Sequence, residues 1–233
     1  MTNRLLISLI KRLNKGKTNG LIHLRPLTEL VDFAKVWTEK PKPTDNISFP
    51  DCAYKFYFIK NQEGEYVATV LDMTRDLHWL VLNRHRGKGH LTNALTKTIL
   101  PHLFQDREEQ RVTIDEIQIG HKNFKDSENV ALKVGFVETI DKEYYKEFTL
   151  TNENFKSCDY IGGRNTEVSE ERINELKKKI NYLSRALWVI QTEVEMTLGD
   201  FDYAEELYEL VREIKKHTLR LEDAWWDSKE QTE

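Results

Sequence analysis

"RHRGKGHLTNAL", residues Arg84 to Leu95, decides how the rest of the chain is read. Its first six residues hold two glycines and three cations, in a chain with ten glycines among 233 residues. An apolar, β-rich run, "LHWLVL" (Leu77 to Leu82), precedes it, and Leu91, Leu95, Ile99 and Leu103 follow at helical spacing. A strand thus feeds a tight turn in which glycine permits unusual dihedrals and close backbone approach. The turn opens a helix, so free N–H groups and the positive end of the helix dipole face any anion held there. Arg84, Arg86 and Lys88 add positive field, and a phosphate or pyrophosphate is the natural guest. The stretch is not the GxxxxGK[ST] of a nucleotide hydrolase, nor the GxGxxG of a dinucleotide fold with its acidic residue downstream. A basic surface turn is the alternative that spacing alone leaves open.

Working outward, short mixed segments fill residues 21–150. Upstream, "LIHLRP" predicts a strand, "LTELVDFAKVWTE" a helix, and "PKPTDNISFPDC", with three prolines, a loop. "AYKFYFIK" and "EYVATVLDM" predict strands joined at "NQEG", a hairpin signal. Downstream of the helix "LTNALTKTILPHLF" come a strand in "VTIDEIQI", a short helix in "DSENVALKVG", and closing strands in "FVETI" and "EYYKEFTL". Residues 151–166, with Gly162-Gly163 and Asn and Ser punctuation, predict a linker, and 167–233 are helical throughout. The expected class is α/β of the α+β kind: a mixed, mostly antiparallel twisted sheet flanked by helices, plus a C-terminal helical hairpin.

Composition narrows the function. The chain is 39% hydrophobic and 32% charged, ordinary for a globular protein rich in exposed helix. A net charge of −4 argues against general nucleic-acid binding. The two cysteines, Cys52 and Cys158, lie far apart with no CxxC, which fits a reducing, cytoplasmic setting and gives no disulfide framework or zinc site. No His/Cys/Asp cluster has metal-ligand spacing, so no metal is expected. Residues 1–20 form a basic amphipathic segment around Leu5 to Ile10, too short to span a membrane and without a small-residue cleavage site. A short helix packed on the domain is the expected reading; an anionic surface contact is the other.

Two motifs carry a resemblance. "VLNRHRGKGHLTNAL" resembles the acetyl-CoA-binding motif of the GNAT superfamily of N-acetyltransferases, R/Q-x-x-G-x-G/A, read here as Arg86, Gly87, Lys88, Gly89, His90, Leu91. Leu91 replaces the small last residue; "GKGHLTNAL" is similar to the branch of ribosomal-protein and polyamine acetyltransferases. "SENVALKVGF", Ser127 to Phe136, is similar to the family's helix-to-strand signature, and Asn123 stands near the asparagine that precedes it, with one residue inserted. "LIHLRPLTE" also looks like the family's opening strand, so the resemblance covers about residues 21–150.

The resemblance implies a fold in which the fourth and fifth strands splay and the pantetheine arm of acetyl-CoA lies between them. Trp79, Leu80 and Val81 would then supply backbone partners to its amides. The amides of Gly87, Lys88, Gly89, His90 and Leu91 would hold the pyrophosphate, with Arg86 adding charge-assisted bonds. It implies acetyl transfer to a primary amine of a small molecule or a protein. Where the family often has an acid tyrosine, four residues before the glycine of the GF pair, this chain has Ala131. Ser127 is then the candidate acid, its ordinary role being a helix N-cap; Tyr144 and Tyr145 are further candidates. Asp76 and His78, on one face of "DLHWLVL", are the candidate bases, with Glu116 a third. His85 and His90 are expected to face solvent or phosphate. The acceptor site would draw on the loop from Trp37 to Asp51 and on Asp141 to Tyr145, where Asp45, Asp51, Asp141 and Glu143 favour a cationic amine. The competing reading, favoured by the missing tyrosine, is a non-catalytic acyl-CoA-binding adaptor whose helical tail holds a protein partner.

In the tail, Ile173, Leu176, Ile180, Leu183, Leu187, Ile190 and Val194 alternate in steps of three and four. Ser169 is the expected cap, "LGDFD" the break, and Leu207, Val211, Ile214, Leu221 and Trp225 the stripe of a second helix. Burial is expected to be greatest at Ile180, Leu183 and Leu187. Trp188, Trp225 and Trp226 offer extra contact surface. A lone hairpin buries little, so it is expected to pack in cis, to form a homodimer or to bind a partner protein. The tail's net charge of about −7 is not that of a nucleic-acid arm.

Overall fold

A computed structural model describes residues 2–46, 53–156, 168–199 and 201–230. The chain divides into two compact units, Met1–Asn165 and Thr166–Glu233.

In the first unit, β1 (Ile22–Pro26), β2 (Val31–Val36), β3 (Tyr54–Lys60), β4 (Tyr66–Asp72) and β5 (Leu77–Val81) form an antiparallel sheet in sequence order. The helix expected over "LTELVDFAKVWTE" is instead strand β2, joined to β1 by a turn in which Leu27 and Thr28 donate to the Val31 carbonyl. Both of its faces are covered: Val31 packs in one core, Ala34 and Val36 in the other. A strand buried on both sides loses its alternation, and Leu30, Phe33, Ala34 and Trp37 happen to fall at helical spacing. The β3–β4 hairpin forms at "NQEG", where Asn61 Oδ1 accepts from the Glu63 and Glu65 amides.

Helix α1 (Asn3–Leu13), capped by Thr2, lies on one face of this sheet. Leu6, Leu9, Ile10 and Leu13 are buried there with Phe56, Phe58, Leu71 and Leu80. The basic N-terminal segment is therefore a packed helix of the first unit, its apolar face spent on the sheet.

The other face carries a helical run over 90–103, made of α2 (His90–Ala94), a π-helical segment (Leu95–Ile99) and α3 (Leu100–Leu103). The widened turn precedes Pro101, which has no N–H to offer the Lys97 carbonyl and whose ring crowds it. Leu95, Ile99 and Leu100 fill the core against Tyr57, Val70 and Leu77.

β6 (Glu109–Asp115) follows, then α4 (Glu116–Ile119), α5 (His121–Val134), β7 (Val137–Lys142) and β8 (Tyr145–Thr151), with a second antiparallel sheet ordered β6-β8-β7. "VTIDEIQI" is thus not one strand. The Asp115 carboxylate accepts from the Ile117 and Gln118 amides, which ends β6 and caps α4 with Glu116 in its first turn.

β5 and β6 run parallel and are bridged at Asp76 and Arg111, where the Arg111 amide donates to the Arg75 carbonyl. Beyond that vertex they do not pair. The expected linker begins inside β8, and residues 157–166 lie outside the described residues, as do Asp51, Cys52 and Cys158.

In the second unit α6 (Glu170–Leu198) and α7 (Asp202–Glu230) pack antiparallel, each about 44 Å long. Ser169 caps α6 by accepting from the Arg172 amide. Leu207, Val211 and Trp225 are buried in the seam. On α6 the seam departs from the expected stripe. Ile173 is buried there, but so are Ser184 and Gln191, at 1% and 5% exposure, while Leu183 and Ile190 stand 57% and 54% exposed. At these two positions the contact falls one residue later than expected: the Ser184 hydroxyl donates to the Val211 carbonyl, and Lys177 pairs with Glu222. No described helix is long and apolar enough to cross a membrane.

Candidate functional site

A cavity of about 740 Å³ lies between β5 and α5, lined from β5, the glycine turn, α2, Ile119 of α4 and α5, with Asn3 of α1 at one side. His78, Trp79, Leu80, Val81, Arg86, Gly87, Gly89, His90, Leu91, Asn123 and Ser127 all line it. Two stretches nearly forty residues apart in sequence are thereby brought to one cleft. Lys88 and Asp76 are not in its lining.

The turn is built as its glycines require. Gly87 and Gly89 sit at φ +72° and +78°, the left-handed region that L side chains rarely adopt. Gly89 stands at the N-cap of α2, and no side chain caps the helix. The first intrahelical bond runs from the Asn93 amide to the Gly89 carbonyl, which leaves the His90, Leu91 and Thr92 amides unbonded within the helix and at the cavity. Leu91 itself is buried in the core and fixes where the helix begins.

Arg86 is the hinge of the cleft. Its Nε donates to the Val81 carbonyl at 3.2 Å and its Nη1 to Asn123 Oδ1 at 2.6 Å, while Asn123 Nδ2 donates to the Ile119 carbonyl. The guanidinium so ties strand edge, glycine turn and α5 together at the mouth of the cavity. Arg84 is spent elsewhere, paired with Glu65. His85 is largely buried yet lines the cavity, with Nε2 3.6 Å from Glu65, and burial lowers its pKa.

The strand edge offers fewer partners than expected. The Leu82 amide donates to the Val67 carbonyl of β4, so in this antiparallel pair the main-chain groups of Leu80 and His78 also turn to β4. Leu80 lines the cavity with its side chain, but its amide and carbonyl are already paired. Those of Leu77, Trp79 and Val81 turn the other way, toward the gap. The Val81 carbonyl receives Arg86 there, which leaves the Trp79 amide and carbonyl and the Val81 amide as the strand-edge groups turned to an extended guest.

The acid–base candidates separate by position. Ser127 is not a helix cap: α5 begins six residues earlier, and Ser127 Oγ accepts from Trp79 Nε1 at 3.3 Å across the cleft. His78 Nε2 lies 3.2 Å from Asn3 Oδ1, and burial holds its imidazole below the ordinary value against the raising pull of Asp76. Asp76 Oδ1 accepts from the Leu77 and Thr113 amides, each at 2.9 Å, so this carboxylate holds the vertex where the two strands part. Glu116 lies in α4, paired with His121 at 2.6 Å. Ala131 is fully buried in the core, so that position of α5 presents nothing to the cleft.

The expected acceptor-side acids do not converge. Asp45 Oδ2 accepts from the Lys42 amide, and Asp141 lies 3.6 Å from Lys146. Tyr144 is exposed, its pKa raised by a hydrogen bond with Glu143, and Tyr145 Oη donates to Glu147 at 3.4 Å. None of these lines the cavity. Among the described residues no three His, Cys, Asp or Glu side chains gather as a metal site requires. What the sequence did not single out is the contribution of Asn3, placed beside His78 because α1 folds back onto the sheet. Neither a scan against models of known protein families nor a search of curated proteins gives a match for this chain.

Proposed function

We propose that the first unit is an acetyl-CoA-dependent N-acetyltransferase of the GNAT kind. The observation that carries the reading is the cleft between β5 and α5, where unbonded helix amides, Arg86 and the Trp79 strand edge line one cavity. The amides of Gly89, His90, Leu91 and Thr92 suit a pyrophosphate, with Arg86 beside them. The Trp79 edge suits the amides of the pantetheine arm, laid in like an added strand. The thioester then reaches the vertex, near His78 and Ser127.

The chemistry balances without another reactant. The lone pair of a neutral primary amine attacks the thioester carbonyl carbon; the C–N bond forms and the C–S bond breaks. The amine's proton passes to neutral His78, directly or through water, and the thiolate leaves as the thiol after taking a proton from solvent. Ser127 accepts from Trp79, which leaves its own O–H to hydrogen-bond the developing thiolate. Asp76 is a positioning residue.

The second reading, an acyl-CoA-binding adaptor without turnover, has one observation in its favour: buried Ala131 puts no acid at the usual place. Both readings predict that CoA raises the melting temperature of the protein. Thiol release from acetyl-CoA over a panel of primary amines separates them, since an adaptor releases none. If CoA gives no thermal shift, both readings fall.

A further inference from the structure

The exposed side of α6 is organised as a self-complementary surface. Rows of residues seven apart share a face of a helix. One row, Ile173, Ile180 and Leu187, turns to α7 beside Ser184 and Gln191. On the far side the row Lys179–Ala186–Glu193 is flanked by Leu183 and Ile190 on one hand and by Tyr182 and Val189 on the other. Those four apolar residues are 54–70% exposed. The seam toward α7 thus takes Ser184 and Gln191 between its apolar residues, and Tyr182, Leu183, Val189 and Ile190 are left outside it. Isolated exposed apolar residues are ordinary, but a contiguous band along one helix marks an interface.

Charge identifies the occupant. Along α6 itself the middle is basic, with Lys177, Lys178, Lys179 and Arg185, while the later part of α7 is mixed, its cations matched by Glu213, Glu222, Asp223, Asp227 and Glu230. At the connecting end the hairpin is acidic: Glu193 and Glu195 with Asp202, Glu205 and Glu206. With a basic middle and an acidic connecting end, the α6 face attracts a second copy of itself turned end for end, which sets Lys177 to Lys179 against the partner's Glu193 and the partner's Glu195.

We infer that two copies of this chain pair through α6, antiparallel, about a two-fold axis at Ala186. The rows match about that point. Leu183 and Ile190 lie three residues before and four after it, so Leu183 meets the partner's Ile190. Tyr182 and Val189 lie four before and three after, so Tyr182 meets the partner's Val189. Lys179 and Glu193 lie seven to either side, so Lys179 meets the partner's Glu193. Ala186, small, lets the two helices approach at the axis. The contact is isologous and closes at two copies.

Sedimentation equilibrium of the full chain tests this. The expected mass is about 55 kDa, twice the 27.6 kDa chain. Leu183→Glu should give the single-chain mass with helical circular dichroism unchanged, because position 183 lies off the α7 seam. The milder pair Leu183→Ala with Ile190→Ala should loosen the dimer in the same direction if the charge disturbs folding. Lys179→Glu should weaken pairing by about tenfold, and adding Glu193→Lys should restore it. A single-chain mass at all concentrations to about 0.1 mM overturns the pairing. So does a dimer indifferent to both position-183 variants, as when the face is covered by another part of the chain or by a foreign helix. A charge-swapped double variant no tighter than Lys179→Glu alone overturns the antiparallel register.

Discussion

At the residue scale, the cleft depends on a few side chains whose roles can be told apart. Gly89→Val introduces a β-branched residue at φ +78°, a strain of about 1–2 kcal/mol, and abolishes the thermal shift given by CoA. His78 is the pH-dependent group. Its pKa is lowered in the fold, so below the ordinary imidazole value of 6.5 the unfolded chain binds more protons than the folded one. Its contribution to stability is therefore whole above that value and is lost as pH falls. If His78 is the base of the proposed transfer, the same lowering keeps it neutral at pH 7 and puts the acid limb of the rate below pH 6.5. His78→Gln, which can still pair with Asn3, is expected to cut turnover by about 10²–10⁴-fold, to remove that limb and to leave CoA affinity intact. A limb that survives the substitution assigns the proton to another group. The turn conformation of the glycines and the place of Arg86 at the cleft were legible in the sequence, because two glycines between a strand and a helix call for a tight turn with φ above zero. The roles of Asp76 and Ser127 were not: spacing placed both near the chemistry, and only their partners, two backbone amides and an indole N–H, tell positioning from contact.

At the scale of elements, what the sequence hid is explained by where burial fell. β2 is covered on both faces, which erased the alternation of a strand, and "VTIDEIQI" was cut by a carboxylate able to cap. The α6 stripe held at Ile173, Ile180 and Leu187 and failed at Leu183 and Ile190, where the next residues, Ser184 and Gln191, are the buried ones. The vertex between β5 and β6 is the element-scale device most open to test. Asp76→Asn keeps an oxygen for the Leu77 and Thr113 amides and should hold activity within a few-fold of the parent. Asp76→Ala leaves both amides unpaired, costs about 1–3 kcal/mol and weakens CoA binding as the strands lose their fixed separation. Urea unfolding beside turnover distinguishes the two. An Asn variant that is stable and inactive makes Asp76 the base after all.

For the whole molecule, two compact units imply two separable responses. The first unit has its own cores and the proposed cofactor cleft; the second is a helical pair whose seam contains Ser184 and Gln191, so it gains little from its internal packing. Calorimetry of the intact chain should therefore show two transitions rather than one. Acetyl-CoA at a hundredfold excess over its dissociation constant adds about 2.7 kcal/mol to the unit that binds it and should move only that transition. Protein concentration should move only the other, since pairing through α6 stabilises the hairpin by mass action. Leu183→Glu should lower the second transition and erase its concentration dependence, while the CoA-dependent transition stays where it was. A single transition moved by both CoA and concentration would mean that the cleft and the hairpin unfold as one body.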